Sequence, residues 1–129
     1  MKKFLKWTGI VFLLMLCLTA VFALLGKNET LSLVICNVDL TRISDGKYVG
    51  VYDNYRFTNK VEVTVLNHEI INIHPLKIQD GRQNLVNNLT ETILEEQRSD
   101  IDAISGATAS SNGFLKAVEE ALKNGVNKP

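Results

Sequence analysis

The sequence predicts an α+β domain, a small antiparallel sheet with two packed helices, preceded by one N-terminal transmembrane helix. Three observations predict it: an uncharged run at residues 7–25, the alternation of Val61, Val63 and Val65 with Glu62 and Thr64, and two later apolar stripes at helical spacing. At 129 residues the chain has room for one small domain.

The N-terminal run is 19 residues long, and at ~1.5 Å per residue it comes close to the ~30 Å hydrocarbon core of a bilayer. Lys2, Lys3 and Lys6 precede it, which places the N-terminus in the cytoplasm and the residues after it outside. Trp7 sits where an interfacial aromatic belongs. A cleaved signal peptide is the competing reading, with Val21, Phe22 and Ala23 as a loose processing site, but the apolar run outlasts the ~7–15 residues usual for one. The expected arrangement is a single-pass protein of the cell membrane: residues 1–26 form the basic tip and anchor, 27–37 a linker and lead-in strand, and 38–129 the extracytoplasmic domain.

Within the exported part, Leu31, Leu33, Val34, Ile35 and Val38 suggest the lead-in strand, and Asp45 and Gly46 mark a turn before a strand at Tyr48, Val49, Val51 and Tyr52. The alternation at 61–65 is the period-two pattern of a strand with one buried face. A polar break at Asn67, His68 and Glu69 leads to Ile70, Ile71 and Ile73, a hairpin that Pro75 is expected to close. From 83 to 97, Leu85, Leu89 and Ile93 recur every four residues, flanked by Val86 and Leu94. A last helix is expected over 110–124, buried through Phe114, Ala117, Val118, Ala121 and Leu122, capped by Ser110 or Ser111 and stopped by a left-handed Gly125.

Composition excludes several functions. There are 14 basic and 14 acidic residues, and removing the three lysines ahead of the anchor leaves 11 against 14, a mildly acidic body without the footprint of a nucleic-acid binder. Cys17 lies in the apolar run and Cys36 outside it, so no disulfide is expected; Cys36 reads as a small buried hydrophobe. His68 and His74 do not combine with the cysteines into a four-ligand zinc set. A serine hydrolase would need a base and an orienting acid near Ser105, and no nucleophile-elbow motif is present.

Between the two helices lies Asp102, Ala103, Ile104, Ser105, Gly106, Ala107, Thr108, followed by Ala109, Ser110 and Ser111, a concentration of hydroxyls and very small side chains. Gly106 permits backbone angles closed to other residues and Ala107 removes bulk, so the Thr108 hydroxyl can be presented for close approach. Thr108 also lies just before the final helix, where free N–H groups and the helix dipole favour a phosphate. The bland alternatives are a simple helix cap at Thr108 and an ordinary loop acid at Asp102.

The run DAISGAT at 102–108 resembles the flavinylation motif, Asp-x-x-Ser/Thr-Gly-Ala-Thr, of the FMN-binding domains found in the C subunit of sodium-translocating quinone reductases and the G subunit of Rnf complexes. The likeness extends over about residues 38–123: Val38, Asp39 and Leu40, then DGKYVG at 45–50, the VEVTV strand, His74, a helix ending at Gln97, the motif, and an alanine-rich last helix. It implies that a flavin transferase dependent on FAD and magnesium attaches FMN to Thr108 through a phosphoester and releases AMP. Asp102, Ser105, Gly106 and Ala107 carry over as motif positions that the transferase reads or that shape the loop, and His74 as a flavin contact or an ordinary strand-end residue. The sequence departs from the pattern at Asn67, His68 and Glu69, where Asp-Gly-Lys is usual, and Asp80, Gly81 and Arg82 only loosely echo the glycine-rich loop after the histidine. Tyr48, Tyr52 and Tyr55 could stack on an isoalloxazine ring or simply line a half-buried sheet.

The resemblance implies an electron carrier without catalytic activity of its own, working between a membrane redox donor and an extracytoplasmic acceptor. The alternatives are a non-redox module that holds FMN or another ligand non-covalently, and an accessory subunit of a membrane redox complex.

Overall fold

The structure, a computed structural model, describes residues 1–126. Helix α1 runs over Lys2–Leu24 and none of it is buried against the domain, as an apolar helix long enough to cross a membrane requires. A short helix α2, Lys27–Leu31, follows at once. The sheet is then built from β1 (Gly46–Tyr52), β2 (Asn59–Leu66) and β3 (Glu69–Lys77), antiparallel and in that spatial order. Helices α3 (Gln83–Glu96) and α4 (Thr108–Gly125) complete an α+β domain.

The period-two pattern places Val61, Val63 and Val65 on one face of β2, each no more than 1% exposed. Burial of each contributes roughly 1.5–3 kcal/mol relative to leaving it in water. Two of the β3 isoleucines, Ile70 and Ile73, reach the same core although they are an odd number of residues apart. A register shift makes this possible: Val65 pairs with Ile70 and Thr64 with Asn72, so Ile71 is the extra residue and points outward at 50% exposure. Asn67 and His68 take φ of 51° and 62°, the left-handed pair that a tight two-residue hairpin demands.

Helix α4 lies across β1 and β2 and forms most of the other half of the core, with Phe114, Leu115, Ala117, Val118, Ala121 and Leu122 fully buried. It comes close because Gly50 has no side chain; a Cβ there would stand 2.0 Å from the carbonyl oxygen of Ala117. Helix α3 adds Val86, Leu89 and Ile93.

Several local expectations are corrected. The lead-in strand over 31–38 does not form. Its backbone groups are satisfied from α4 and the loop after α3: the Cys36 N–H donates to Glu119, Ser99 donates to the Cys36 carbonyl, and Lys116 donates to the Val34 carbonyl. Cys36 is therefore held by its main chain, with an exposed side chain rather than a buried one. Pro75 does not close β3, which continues to Lys77; β3 is an edge strand with a register shift opposite Pro75, where a missing N–H is tolerated. The last helix begins two residues earlier than expected, at Thr108, and neither Ser110 nor Ser111 caps it. Gly125 is helical rather than a left-handed stop, its lack of a side chain admitting Ile43 and Tyr48.

Glu119 is the one fully buried carboxylate of α4. Burial alone would raise its pKa, but hydrogen bonds from Lys123 and Lys116 and from the Cys36 N–H outweigh that and hold it below its ordinary value of 4.5.

Candidate functional site

The loop from α3 to α4 is pinned at both ends and free in the middle. At its start Gln97, left-handed with φ of 56°, turns its side-chain amide onto β3: Nε2 donates to the Ile70 carbonyl at 2.9 Å and Oε1 accepts from the Ile70 N–H at 2.7 Å. Ser99 and Ile101 are buried. At the far end the Ile104 N–H donates to the Ser111 hydroxyl at 3.1 Å and the Ala107 N–H to the Ile104 carbonyl at 3.0 Å, which closes a tight turn. Gly106 occupies that turn with φ of +80°, and nothing lies within 4 Å of the position a Cβ would take. A side chain there is strained by the backbone angle, not by crowding.

This turn sorts the hydroxyls. Ser111 is engaged by the loop, and Ser110 donates to Oε1 of Gln79 at 2.8 Å, tying α4 to the segment after β3. Ser105 and Thr108 are exposed and have no side-chain hydrogen bond among the described residues. Of these two, Thr108 alone faces a cavity. It is an open groove of about 380 Å³ lined by Gly106, Ala107, Thr108, Ala109 and Ser110 on one side and by Lys27, Leu31, Arg56, Phe57 and Arg82 on the other. That volume lies within the ~300–1,000 Å³ range of small-molecule sites.

The chemistry of the wall is one-sided. Lys27 comes from α2, Arg56 from the turn after β1 and Arg82 from the start of α3, and among the described residues no carboxylate lines the groove. None of the three cations forms an ion pair among the described residues. The Arg56 guanidinium lies 4.8 Å from the centroid of the buried Phe57 ring, which fixes its direction. Three cations beside an exposed hydroxyl at the first turn of an 18-residue helix form a site suited to an anionic phosphoryl group.

A second groove of about 340 Å³ shares Arg56 with the first and is lined by Tyr55, Thr58, Lys77, Ile78, Gln79 and Asp80. Tyr55 is 57% exposed and held at φ of 50°, a conformation a bulky residue rarely adopts. The other two tyrosines are committed to the fold. Tyr48 donates to the Ser44 carbonyl at 2.7 Å, and the Tyr52 hydroxyl meets Thr30 at 2.8 Å and Asn54 at 3.0 Å.

Of the residues singled out in the sequence, Gly106, Ala107 and Thr108 meet at the groove, while Asp102 and Ser105 are exposed on the loop but line neither groove. His74 stands on the open face of the sheet, paired across the ladder with Glu62, and also lines neither. Sequence reasoning missed Lys27, Arg56 and Arg82 as a set. They lie 29 and 26 residues apart in three different segments, and only the packing of α2, the turn after β1 and α3 around α4 brings them to Thr108.

The family model described as FMN-binding domain matches residues 54–123, more than half of the chain. No curated protein matches.

Proposed function

The chain belongs to the FMN-binding domain family, and on that premise we propose that it is an extracytoplasmic electron-transfer protein whose FMN is joined to Thr108 by a phosphoester. The observation that carries the attachment is the Thr108 hydroxyl: exposed, without a partner among the described residues and facing a groove whose opposite wall bears three cations. A purely non-covalent site would need the cations but not a free hydroxyl beside them. Ser110 and Ser111, the neighbouring hydroxyls, are already engaged.

The residues present fit the group. Lys27, Arg56 and Arg82 would hold the phosphoryl oxygens, Gly106 and Ala107 keep the approach to Thr108 open, and Tyr55 offers an exposed aromatic face in the adjoining groove. In the attachment step the Thr108 oxygen attacks the flavin-side phosphorus of FAD. The bond from that phosphorus to the bridging oxygen breaks, AMP leaves with the bridging oxygen, and the hydroxyl proton passes to a base on the transferase. Magnesium and FAD are supplied by that enzyme, so Thr108 is an acceptor and Asp102 and Ser105, exposed on the loop, are available for the transferase to read.

Bound FMN supplies one- and two-electron redox chemistry; the protein's part is to hold it and tune it. Covalent attachment suits a carrier outside the cytoplasm, where a dissociating flavin is lost to dilution. Lys2, Lys3 and Lys6, in the first turns of α1 and ahead of its uncharged run, support that orientation.

Co-expression of the full chain with a flavin transferase tests the proposal. One FMN-sized mass increment and in-gel fluorescence that survives denaturation are expected, with both lost in Thr108→Ala. An increment that persists in Thr108→Ala contradicts the assignment.

A further inference from the structure

The groove beside Thr108 is walled in part by the end of the membrane anchor. Lys27 and Leu31 belong to α2, which begins three residues after α1 ends at Leu24. The two residues between, Leu25 and Gly26, form a tight junction rather than a tether. Gly26 has φ of +76°, and a Cβ on it would stand 2.3 Å from Oδ1 of Asn54.

Helix α2 is fastened to the domain at several points. Thr30 is fully buried; its hydroxyl meets Tyr52 at 2.8 Å and its carbonyl accepts from the Asn112 amide at 3.0 Å. The Asn54 amide donates toward the Gly26 carbonyl and the Glu29 carboxylate, each at 3.3 Å. A chain extends at most ~3.3–3.6 Å per residue, so Lys27 lies within about 11 Å of Leu24 along the chain whatever the path. The headgroup zone on each side of the hydrocarbon core is ~5–7 Å thick. A wall that starts at Lys27 therefore starts in or just above the headgroups.

Resting on the attachment of FMN at Thr108, we infer that the anchor itself completes the cofactor site: Lys27 is a phosphate-binding residue, and the flavin is held at the lipid headgroup surface rather than carried away from it on a flexible linker. Lys27 is half-buried, has no ion pair among the described residues and faces the groove with Arg56 and Arg82. A phosphodiester there gives it the counter-charge it lacks. The exchange partner that this placement serves is one confined to the membrane plane.

The test uses the flavinylated full chain in phosphatidylcholine vesicles carrying a spin label either on the lipid headgroup or near the acyl-chain end. The headgroup label is expected to quench flavin fluorescence at least about two-fold more than the chain-end label. A Gly-Ser insertion of about ten residues between Leu25 and Gly26, with a reach of ~17 Å, should largely abolish that quenching while leaving the adduct in place. Lys27→Gln should raise quenching by acrylamide, a neutral aqueous probe, about two-fold and lower the flavin anisotropy, and Lys27→Arg should restore both. Flavin untouched by either lipid label, or unaltered by the insertion, overturns the placement. Lys27→Gln that behaves as the parent overturns the role of Lys27. No adduct on the unaltered chain overturns the attachment reading and this inference together, whereas an adduct that the lipid labels do not quench overturns this inference alone.

Discussion

From Ala109 to Leu115, and on through Leu122, helix α4 is almost wholly buried, with Gly50 of β1 pressed against its backbone and Glu119 sealed between two lysines. One residue earlier, at Thr108, the same helix is exposed, its first side chain has no partner among the described residues, and the space before it is lined by cations. The body of α4 tolerates little change because it is the core, whereas the side chain of its first residue, Thr108, makes almost no contribution to the fold. A single helix thus joins the exposed Thr108 hydroxyl to the packed core of the domain, which is how a side chain is held in place without itself being packed.

The largest expected effect is at the packed end. Gly50→Val puts side-chain atoms into the α4 backbone, so α4 must lift from the sheet at a cost of about 3 kcal/mol or more. Denaturant unfolding would show the loss, and flavinylation should fail with it because the loop is no longer presented. A stable, flavinylated Gly50→Val would remove the distinction between the two ends.

Next comes the buried carboxylate. Glu119→Ala removes the buried carboxylate that Lys116 and Lys123 share, leaving them the Val34 carbonyl and Glu120 respectively, and frees the Cys36 N–H, for about 1–3 kcal/mol. The pH dependence has a definite sign. Because the folded pKa of Glu119 lies below 4.5, its contribution is fully present above that value and is lost as the pH falls through the lower folded value. Thermal melts below pH 4.5 should therefore bring the parent toward the Glu119→Ala variant; equal spacing of the two at every pH would show that Glu119 titrates normally.

At the open end the expectations reverse. Thr108→Ala removes an exposed side chain with no hydrogen bond among the described residues, so stability should shift by no more than about 0.5 kcal/mol, the usual span for an exposed substitution, while flavin attachment should be lost entirely. A Thr108→Ala melt depressed as far as that of Gly50→Val would make Thr108 a structural residue. The smallest effect is at His74: on the open sheet face and away from both grooves, His74→Ala should leave the adduct and the flavin emission unchanged. A shift in emission would return His74 to the cofactor site.

The sequence made the sheet and both domain helices legible because their signals are periodic: valines at every second residue in β2 and Leu85, Leu89 and Ile93 at every fourth in α3. It misled where the pattern was apolar but the backbone found other partners, as over 31–38, where Glu119, Ser99 and Lys116 take the place of a neighbouring strand. The bulge at Ile71 was hidden because an extra residue leaves no mark on composition. At the site, the small residues Gly106 and Ala107 beside Thr108 were readable because the loop needs them in sequence. The cations opposite were not, since no local spacing joins residues 27, 56 and 82.

The central claim, that the open end of α4 receives the cofactor, is tested most directly by fragmenting the flavin-bearing peptide from the full chain co-expressed with a flavin transferase. Localisation of the FMN phosphoryl group on Thr108, with Ser105, Ser110 and Ser111 unmodified, is the predicted result. The same group found on any of those three serines, or an intact chain with no flavin attached, would contradict it.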